Sequence, residues 1–207
     1  MPVTPLDAAS DVLQRARNLL ALDAPGTPET VREDLRRAAL AFGLAALDTY
    51  MHWAIGKRTF SNPVPLALAK VEVPFGEMLR IANASVEARK DDKAIRPQVS
   101  VRHVLNKKLL GMTFQSPQNI ENGLRMMGVT DCWKKISESI EPHEASGAIK
   151  KRLGDLAHRR NQIVHEGDLT YQDRPRQLKH EPVSAAYVVA ELDWINSFIL
   201  AIDEVAD

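Results

Sequence analysis

The sequence predicts an all-α protein, a helical bundle, on the basis of three observations. Apolar residues recur at spacings of three and four along most of the 207 residues, as on one face of a helix. A Thr or Ser stands directly before a proline at Thr4, Thr27 and Ser116, where the hydroxyl can cap a helix that the proline begins. No segment alternates apolar and polar residues as a half-buried strand does, so we expect no β-sheet.

Eight helices are predicted in chain order from the apolar spacing, the caps and the glycines that end several of them. They cover about residues 5–22, 28–55, 74–88, 101–110, 117–127, 131–140, 142–165 and 184–205. Between Arg58 and Pro74, three prolines restrict the chain to a loop with room for one short turn. The stretch from Glu87 to Gln98 is charged and lacks an apolar period, so it is predicted to be an exposed loop.

The composition fits one globular domain that spans residues 1–207. Lys+Arg 27 balance Asp+Glu 27, so no global positive field would attract a polyanion, and nucleic-acid binding would need a local patch. The single cysteine, Cys132, cannot form a disulfide within the chain, which indicates a reducing compartment. The longest apolar run, Ala38 to Leu47, is too short to cross a bilayer. We therefore expect a cytoplasmic protein without a membrane partner.

Basic charge is concentrated on the predicted helix 142–165, while the end of the chain is acidic. From Glu181 to Asp207 there are six acidic residues and no Lys or Arg. The basic residues of the helix are Lys150, Lys151, Arg152, Arg159 and Arg160. Two interpretations remain open: a solvated face paired with the acidic terminal helix, or a phosphate-binding face.

Arg160 lies on the apolar face of this helix. At 100° per residue, Arg160 falls about 20° from Ile149, in the middle of the apolar stripe. The stripe consists of Ile149, Leu153, Leu156 and Ile163. A guanidinium in this position must be paired or must serve a ligand, because an unpaired buried charge costs several kcal/mol. The structural alternative is an arginine buried against a carboxylate, such as Asp48 or an acid of the terminal helix.

A polar stripe lies beside it, formed by His158, Asn161 and His165 at spacings of three and four. The two histidines are about 10 Å apart along the helix axis, too far to share one metal ion, so we expect neither a metal nor a cofactor. A histidine titrates near neutrality and, beside an arginine and an amide, is suited to moving a proton next to a phosphate. The alternative is two histidines at the solvated end of a helix.

The run Arg160-Asn161-Gln162-Ile163-Val164-His165 resembles the R-N-x-x-x-H form of the Rx4-6H signature of the HEPN superfamily. That superfamily consists of all-α domains, many of which are metal-independent endoribonucleases. An Arg and a His at this spacing alone occur often by chance, but the additional Asn reduces the accidental expectation to roughly 0.02 matches. The position near the end of a late helix is also consistent with the superfamily.

Two further segments resemble the RiboL-PSP-type HEPN group. They are residues 45–52, similar to its early helix, and residues 114–120, which precede and begin a short helix. The likeness covers residues 34–202 and implies a four-helix core with extra short helices and a two-fold dimer. Residues 1–26 are then an additional helix without an assigned role.

The resemblance implies an RNA substrate that is cut by its own 2′-OH, leaving a 2′,3′-cyclic phosphate and a 5′-OH. His165 would transfer the proton and Arg160 would grip the scissile phosphate in a bidentate manner. Asn161 would orient the imidazole or bind a phosphate oxygen. Arg159 and His158 would hold flanking phosphates. The family context implies a toxin of a toxin–antitoxin pair or a phage-defence effector of abortive infection, restrained by an antitoxin or another regulatory protein.

One geometric difficulty accompanies this assignment, because Arg160 and His165 are about 140° apart around a regular helix. Fraying at Glu166-Gly167 would relieve it. A two-fold dimer would also relieve it by building one cleft from two copies, in which case Ile149 and its apolar neighbours could belong to the interface. Two other functions remain open: a catalytically silent HEPN-like interaction module, and a helical protein that binds a mononucleotide.

Overall fold

A computed structural model describes residues 2–90, 97–170 and 177–206 of the chain. Within these ranges the structure is helical, and the β pairing is limited to an isolated bridge between Leu169 and His180. The predicted all-α class is thereby confirmed. The helices are α1 (Pro5–Ala21), α2 (Glu29–Lys57), α3 (Leu66–Ala69), α4 (Phe75–Glu87), α5 (Pro97–Leu109), α6 (Pro117–Met126), α7 (Cys132–Ser139), α8 (Ser146–Glu166) and α9 (Ala185–Ala206), with a 3-10 turn at Arg58–Phe60.

Helix α2 is the centre of the bundle and contacts α1, α5, α6, α8 and α9. Its inward face carries Leu40, Leu44 and Leu47, which are fully buried. Gly43 allows α9 to approach closely, since a Cβ at this position would lie 2.5 Å from Leu192 Cδ2. Because α2 has 29 residues, it can place side chains at both ends of the bundle.

Two of the three predicted helix caps are present. Thr4 forms a capping box with Asp7 at the start of α1, and the Ser116 hydroxyl caps α6. Thr27 does not cap α2, and this prediction is wrong. Pro28 is itself the N-cap and has an extended backbone with ψ 138°, so the helix begins one residue later than expected.

Two predicted helix starts are also wrong. Helix α8 begins at Ser146, not at residue 142, because the preceding segment is bound to α7: the Ser146 hydroxyl donates to the Trp133 carbonyl and the Ser137 hydroxyl donates to the Glu144 carbonyl. Helix α5 begins earlier than expected, at Pro97, where a proline fits the first helical position. Residues 91–96 of the predicted loop lie outside the described ranges.

The apolar stripe of α8 belongs to the core of a single chain. Ile149, Leu153 and Leu156 are 0%, 0% and 1% exposed, because α2 and α7 pack on this helix. The prediction that they could form an interface between two copies is therefore wrong. Ile163 is half-buried and packs against the same core, while Arg160 lies at the edge of the stripe and is half-buried.

Helix α9 is long and apolar enough to cross a membrane by length and composition, with a mean hydropathy of 1.4 over its best window. Half of that window is buried inside the fold, against α1, α2 and α7. A core helix of a soluble protein passes the same test. A search for uninterrupted apolar runs does not find this helix, because Glu191 and Asp193 divide it.

Candidate functional site

The carboxylate of Asp168, just after the end of α8, is 0% exposed. Asp168 Oδ2 accepts hydrogen bonds from Arg37 Nε at 2.7 Å and from Arg159 Nη2 at 2.8 Å. We call these three residues the Asp168 cluster. Arg159 also donates to the carbonyl oxygens of Glu181 and Pro182, both at 3.3 Å. The cluster thus joins α2, α8 and the segment before α9 through charge-assisted hydrogen bonds.

The backbone after α8 places this carboxylate. Gly167 ends the helix in the left-handed region, with φ 64°, where glycine has no steric penalty. Asp168 is left-handed as well, with φ 58°. Its N–H donates to the Gln162 carbonyl at 3.0 Å, and its carbonyl accepts from the Glu181 N–H at 2.9 Å. The residues that follow the R-N-x-x-x-H run therefore form a structural turn.

Arg160, the next residue after Arg159, differs from it in its contacts. Its side chain is half-buried, and Nη1 donates to Asn161 Oδ1 at 3.1 Å. Within the described ranges Arg160 forms no ion pair. By contrast, the arginines that are buried or half-buried around α8 are ion-paired: Arg36, Arg37, Arg152 and Arg159.

The charge of Arg160 acts on Asp48 of α2. The Asp48 carboxylate accepts hydrogen bonds from the Phe114 N–H and from Gln115 Nε2, the latter at 2.5 Å. Burial raises the pKa of Asp48, and this effect outweighs the opposite effects of those hydrogen bonds and of the charges of His52 and Arg160. The two side chains act on each other without an ion pair, so Arg160 is not the sealed structural arginine of the alternative hypothesis.

His52 lies one helical turn after Asp48, on the same face of α2. Its Nε2 is 3.0 Å from the Met112 carbonyl oxygen, so this nitrogen carries a hydrogen and donates it. The imidazole also meets the Phe114 ring edge-to-face, with 5.3 Å between the centroids. Asp48 and His52 together anchor the loop between α5 and α6 to α2.

The polar stripe predicted on α8 is solvent-exposed. His158, Asn161 and His165 are all exposed, and within the described ranges neither histidine forms a hydrogen bond or an ion pair. Both imidazoles are therefore accessible to a ligand. Asn161 is engaged through Oδ1 with Arg160, which leaves its amide hydrogens available.

Helix α8 is regular through Glu166, so the predicted fraying near His165 does not occur. The left-handed cap at Gly167 satisfies the last turn and keeps it helical, since the Gly167 N–H donates to the Gln162 carbonyl. Arg160 and His165 consequently remain about 140° apart around the axis. A single chain does not direct both side chains to one point.

The remaining basic residues of α8 have partners in the chain. Arg152 forms ion pairs with Glu191 of α9 at 2.9 Å and with Glu144 at 3.2 Å. Lys151 pairs with Asp155 one turn later, at 2.6 Å. For Arg152, the first of the two open interpretations applies, because it is paired with the acidic terminal helix. Arg159 has a structural role in the Asp168 cluster, and its contact with substrate stays a prediction.

Sequence patterns did not single out His52, Arg37 or Asp168. The signal for His52 was its spacing of four from Asp48 on a predicted helix. The signal for Asp168 was an acid directly after the glycine that ends α8, but its partner Arg37 is 131 residues away in sequence. Local spacing cannot reveal such a pair, because only the tertiary fold brings it together.

No protein-family model, no curated protein and no solved structure matches this chain. In the part of the chain that the structure describes, no group of three or more His, Cys, Asp or Glu side chains is placed to hold a metal ion. The function must therefore be inferred from side-chain geometry. The strongest feature is the contrast between the ion-paired Arg159 and Arg160, which has no ion pair within the described ranges.

Proposed function

We propose that this protein is a HEPN-like, metal-independent endoribonuclease. The observation that carries the proposal is the state of Arg160: a half-buried guanidinium in an R-N-x-x-x-H run, hydrogen-bonded to Asn161 and without an ion pair in the described ranges. A guanidinium that is partly desolvated and left without a counter-ion favours an anionic ligand. Its paired N–H groups fit two oxygens of a phosphate.

The proposed chemistry needs only the side chains of this end of α8. His165 takes the proton of the ribose 2′-OH, the 2′ oxygen forms a bond to phosphorus, and the bond from phosphorus to the 5′ oxygen breaks. The 5′ oxygen takes a proton from water and His165 releases its proton to the solvent, which gives a 2′,3′-cyclic phosphate and a 5′-OH. Arg160 stabilises the negative charge that develops on the phosphorane oxygens. Asn161 holds the guanidinium through Oδ1 and offers its amide N–H to a phosphate oxygen.

Because α8 is regular, this proposal requires an active cleft built from two copies of the chain. Since Arg160 and His165 lie on different sides of one helix, we propose that the active cleft combines Arg160 of one copy with His165 of another in a two-fold dimer. The apolar stripe of α8 is buried within each chain, so the dimer contact must use the exposed surface at the end of α8 instead. The exposed Val164 lies on that surface.

The first experiment is RNA cleavage by the purified protein in EDTA, comparing the unsubstituted protein with His165→Ala. We expect cleavage to 2′,3′-cyclic phosphate ends, detected by mass spectrometry, and a rate at least about 100-fold lower for the variant. The matched control is His143→Ala, which removes an exposed histidine that precedes α8. Absence of cleavage by the unsubstituted protein, or equal cleavage by His165→Ala, contradicts the proposal and favours a silent interaction module.

The composite cleft is tested by mixing two inactive variants. If the cleft combines residues of two copies, an equimolar mixture of Arg160→Ala and His165→Ala restores about a quarter of the activity, because half of the dimers are mixed and each has one intact site. If both residues act within one chain, each mixed dimer has a defect in both sites and the mixture stays inactive. Size-exclusion chromatography of each variant checks that dimers form.

The cellular role follows from the same proposal. A free endoribonuclease threatens its own cell, so we propose that the protein acts as a toxin or phage-defence effector and that a partner protein, such as an antitoxin, restrains it. The proposal also places the protein in the cytoplasm, where RNA is available. Co-purification with the product of a neighbouring gene, with loss of RNA cleavage in the complex, would support this role.

A further inference from the structure

A groove lies between α2 and α5, beside the residues discussed above. It has a volume of about 440 Å³, which is within the size range of small-ligand sites. We define the α2–α5 groove by the polar and aromatic side chains that line it: His52, Trp53, Lys57, Arg102 and Asn106. Gly56 also lines it, and a Cβ there would make an ordinary van der Waals contact with Asn106 Oδ1, at 3.5 Å.

Trp53 gives the groove an exposed aromatic face. The chain has three tryptophans, and two of them are core residues: Trp133 and Trp194 are 7% and 5% exposed and both stack with Phe198. Trp53 is 47% exposed. An indole at the solvent-exposed wall of a groove provides a flat surface on which an unpaired base can stack.

The charges of the groove are positive. Neither Lys57 nor Arg102 forms an ion pair within the described ranges, and no described acid lines the groove. The Arg102 guanidinium lies over the Phe60 ring, 5.5 Å from its centroid. The charge of Lys57 contributes to lowering the pKa of Asp7, but the Asp7 carboxylate is hydrogen-bonded to Thr4 and forms no ion pair with Lys57. Two cations beside an aromatic face are complementary to the phosphates and base of a nucleotide.

The groove lies on α2, the helix that also carries Asp48. His52 lines it and acts on the Asp48 carboxylate, which also interacts with Arg160. In the proposed binding mode, the scissile phosphate meets Arg160 and the strand continues along α2 to Trp53. The Asn106 side-chain amide has no hydrogen-bond partner within the described residues and can meet the edge of a base.

We infer that the α2–α5 groove is a substrate subsite that holds one unpaired nucleotide of single-stranded RNA, with its base stacked on Trp53 and its flanking phosphates bound by Lys57 and Arg102. This inference rests on the proposed function, because it assigns the groove to the RNA that is cut. Single-stranded RNA is the required form, since the bases of a duplex are stacked on each other and cannot reach an aromatic side chain.

The test uses a short 2′-O-methyl RNA oligomer, which cannot be cut because its 2′ oxygen is blocked. Trp53 is the exposed tryptophan, so single-stranded oligomer should quench the intrinsic fluorescence, and Trp53→Phe should abolish the quenching while anisotropy of a labelled oligomer still reports binding. Trp53→Ala should raise the Kd about 5- to 100-fold, the range for removal of one base stack. Phe75→Ala, an exposed aromatic of α4, is the matched control.

The roles of Lys57 and Arg102 are measured separately, by the salt dependence of oligomer binding. The double variant Lys57→Ala, Arg102→Ala should reduce the slope of log K against log salt by about 0.7 for each phosphate that the two side chains neutralise in the unsubstituted protein. Lys135→Ala, which removes an exposed lysine of α7, should not change the slope. Equal quenching by a duplex, or an unchanged Kd for Trp53→Ala, overturns the inference.

The two proposals fail in different ways. If the oligomer binds in a Trp53-dependent manner but unmodified RNA is not cut, the subsite stands and the endoribonuclease proposal fails. If RNA is cut but Trp53→Ala leaves the KM and the Kd unchanged, the endoribonuclease proposal stands and the subsite is wrong.

Discussion

The two sides of the end of α8 carry adjacent arginines in opposite states. On one side, Arg159 belongs to the Asp168 cluster, in which a fully buried carboxylate accepts hydrogen bonds from two guanidinium groups. On the other side, Arg160 donates a hydrogen bond to the neighbouring Asn161 and forms no ion pair in the described ranges. In the first arrangement the charge of the carboxylate is balanced within the chain, although its Oδ1 accepts no hydrogen bond from the described residues; in the second, the guanidinium has unused donors.

This difference separates a structural arginine from a ligand-binding one. A buried ion pair fixes the relative positions of the elements that contribute to it, and removing one partner leaves an uncompensated charge. A half-buried guanidinium that forms no ion pair with the described residues contributes little to the fold and is available for an anion. The comparison therefore predicts that substitutions on the two sides separate stability from activity.

The largest loss of stability is expected for Asp168→Ala. The substitution leaves Arg37 and Arg159 without their shared carboxylate, and loss of one partner from such a cluster costs about 3–5 kcal/mol in the free energy of unfolding. Urea denaturation at neutral pH measures it. Asp155→Ala is the matched control: it removes an exposed acid paired with Lys151 on the same helix, and should cost less than about 1 kcal/mol. Equal effects of the two variants would show that the Asp168 cluster does not hold the fold.

The adjacent arginines test the comparison directly. Arg159→Ala should lower the free energy of unfolding by about 1.5–3 kcal/mol, because it removes hydrogen bonds to a buried carboxylate. Arg160→Ala should lower it by less than about 1 kcal/mol, since no ion pair within the described ranges is broken, yet should reduce RNA cleavage at least about 100-fold. Denaturation and initial cleavage rates are measured on both variants. A large stability loss for Arg160→Ala with unchanged cleavage would reverse the assignment.

Sequence patterns predicted the helices well because each helix has local causes. Thr4 and Ser116 cap their helices through residues three positions away, and Gly167 ends α8 by its own backbone preference. The errors arose where distant contacts decide the structure. The start of α8 depends on a hydrogen bond between Ser146 and α7. Its apolar stripe is covered by α2, and the position of α2 cannot be predicted from a local sequence pattern.

Of the candidate site, only the residues that lie on α8 were predicted from the sequence. The R-N-x-x-x-H run named Arg160, Asn161 and His165, because they are close in sequence. It could not show which of Arg159 and Arg160 is ion-paired, since that depends on Asp168 and on the turn that buries it. The groove beside Trp53 was also not predicted, because its walls come from α2 and α5, which are far apart in the chain.

The smallest expected effect concerns Asp48, the acid on which the charge of Arg160 acts. Burial raises the pKa of Asp48 in the folded protein above its ordinary value of 3.8, so the folded state holds this proton more tightly than the unfolded state. The contribution of Asp48 to the free energy of unfolding therefore falls as pH rises from below that value through the raised pKa, and is constant above it.

Asp48→Asn removes this titration and supplies the measurement. The free energy of unfolding of the unsubstituted protein minus that of Asp48→Asn should fall with rising pH in the acidic range and become flat near neutrality, while the other carboxyl groups cancel in the difference. Urea denaturation of both proteins across this range gives the curve. A difference that rises with pH would mean that Asp48 is stabilised in its charged form by Arg160. Arg160 and Asp48 would then form a second structural ion pair, and the charge of Arg160 would not be available for a phosphate.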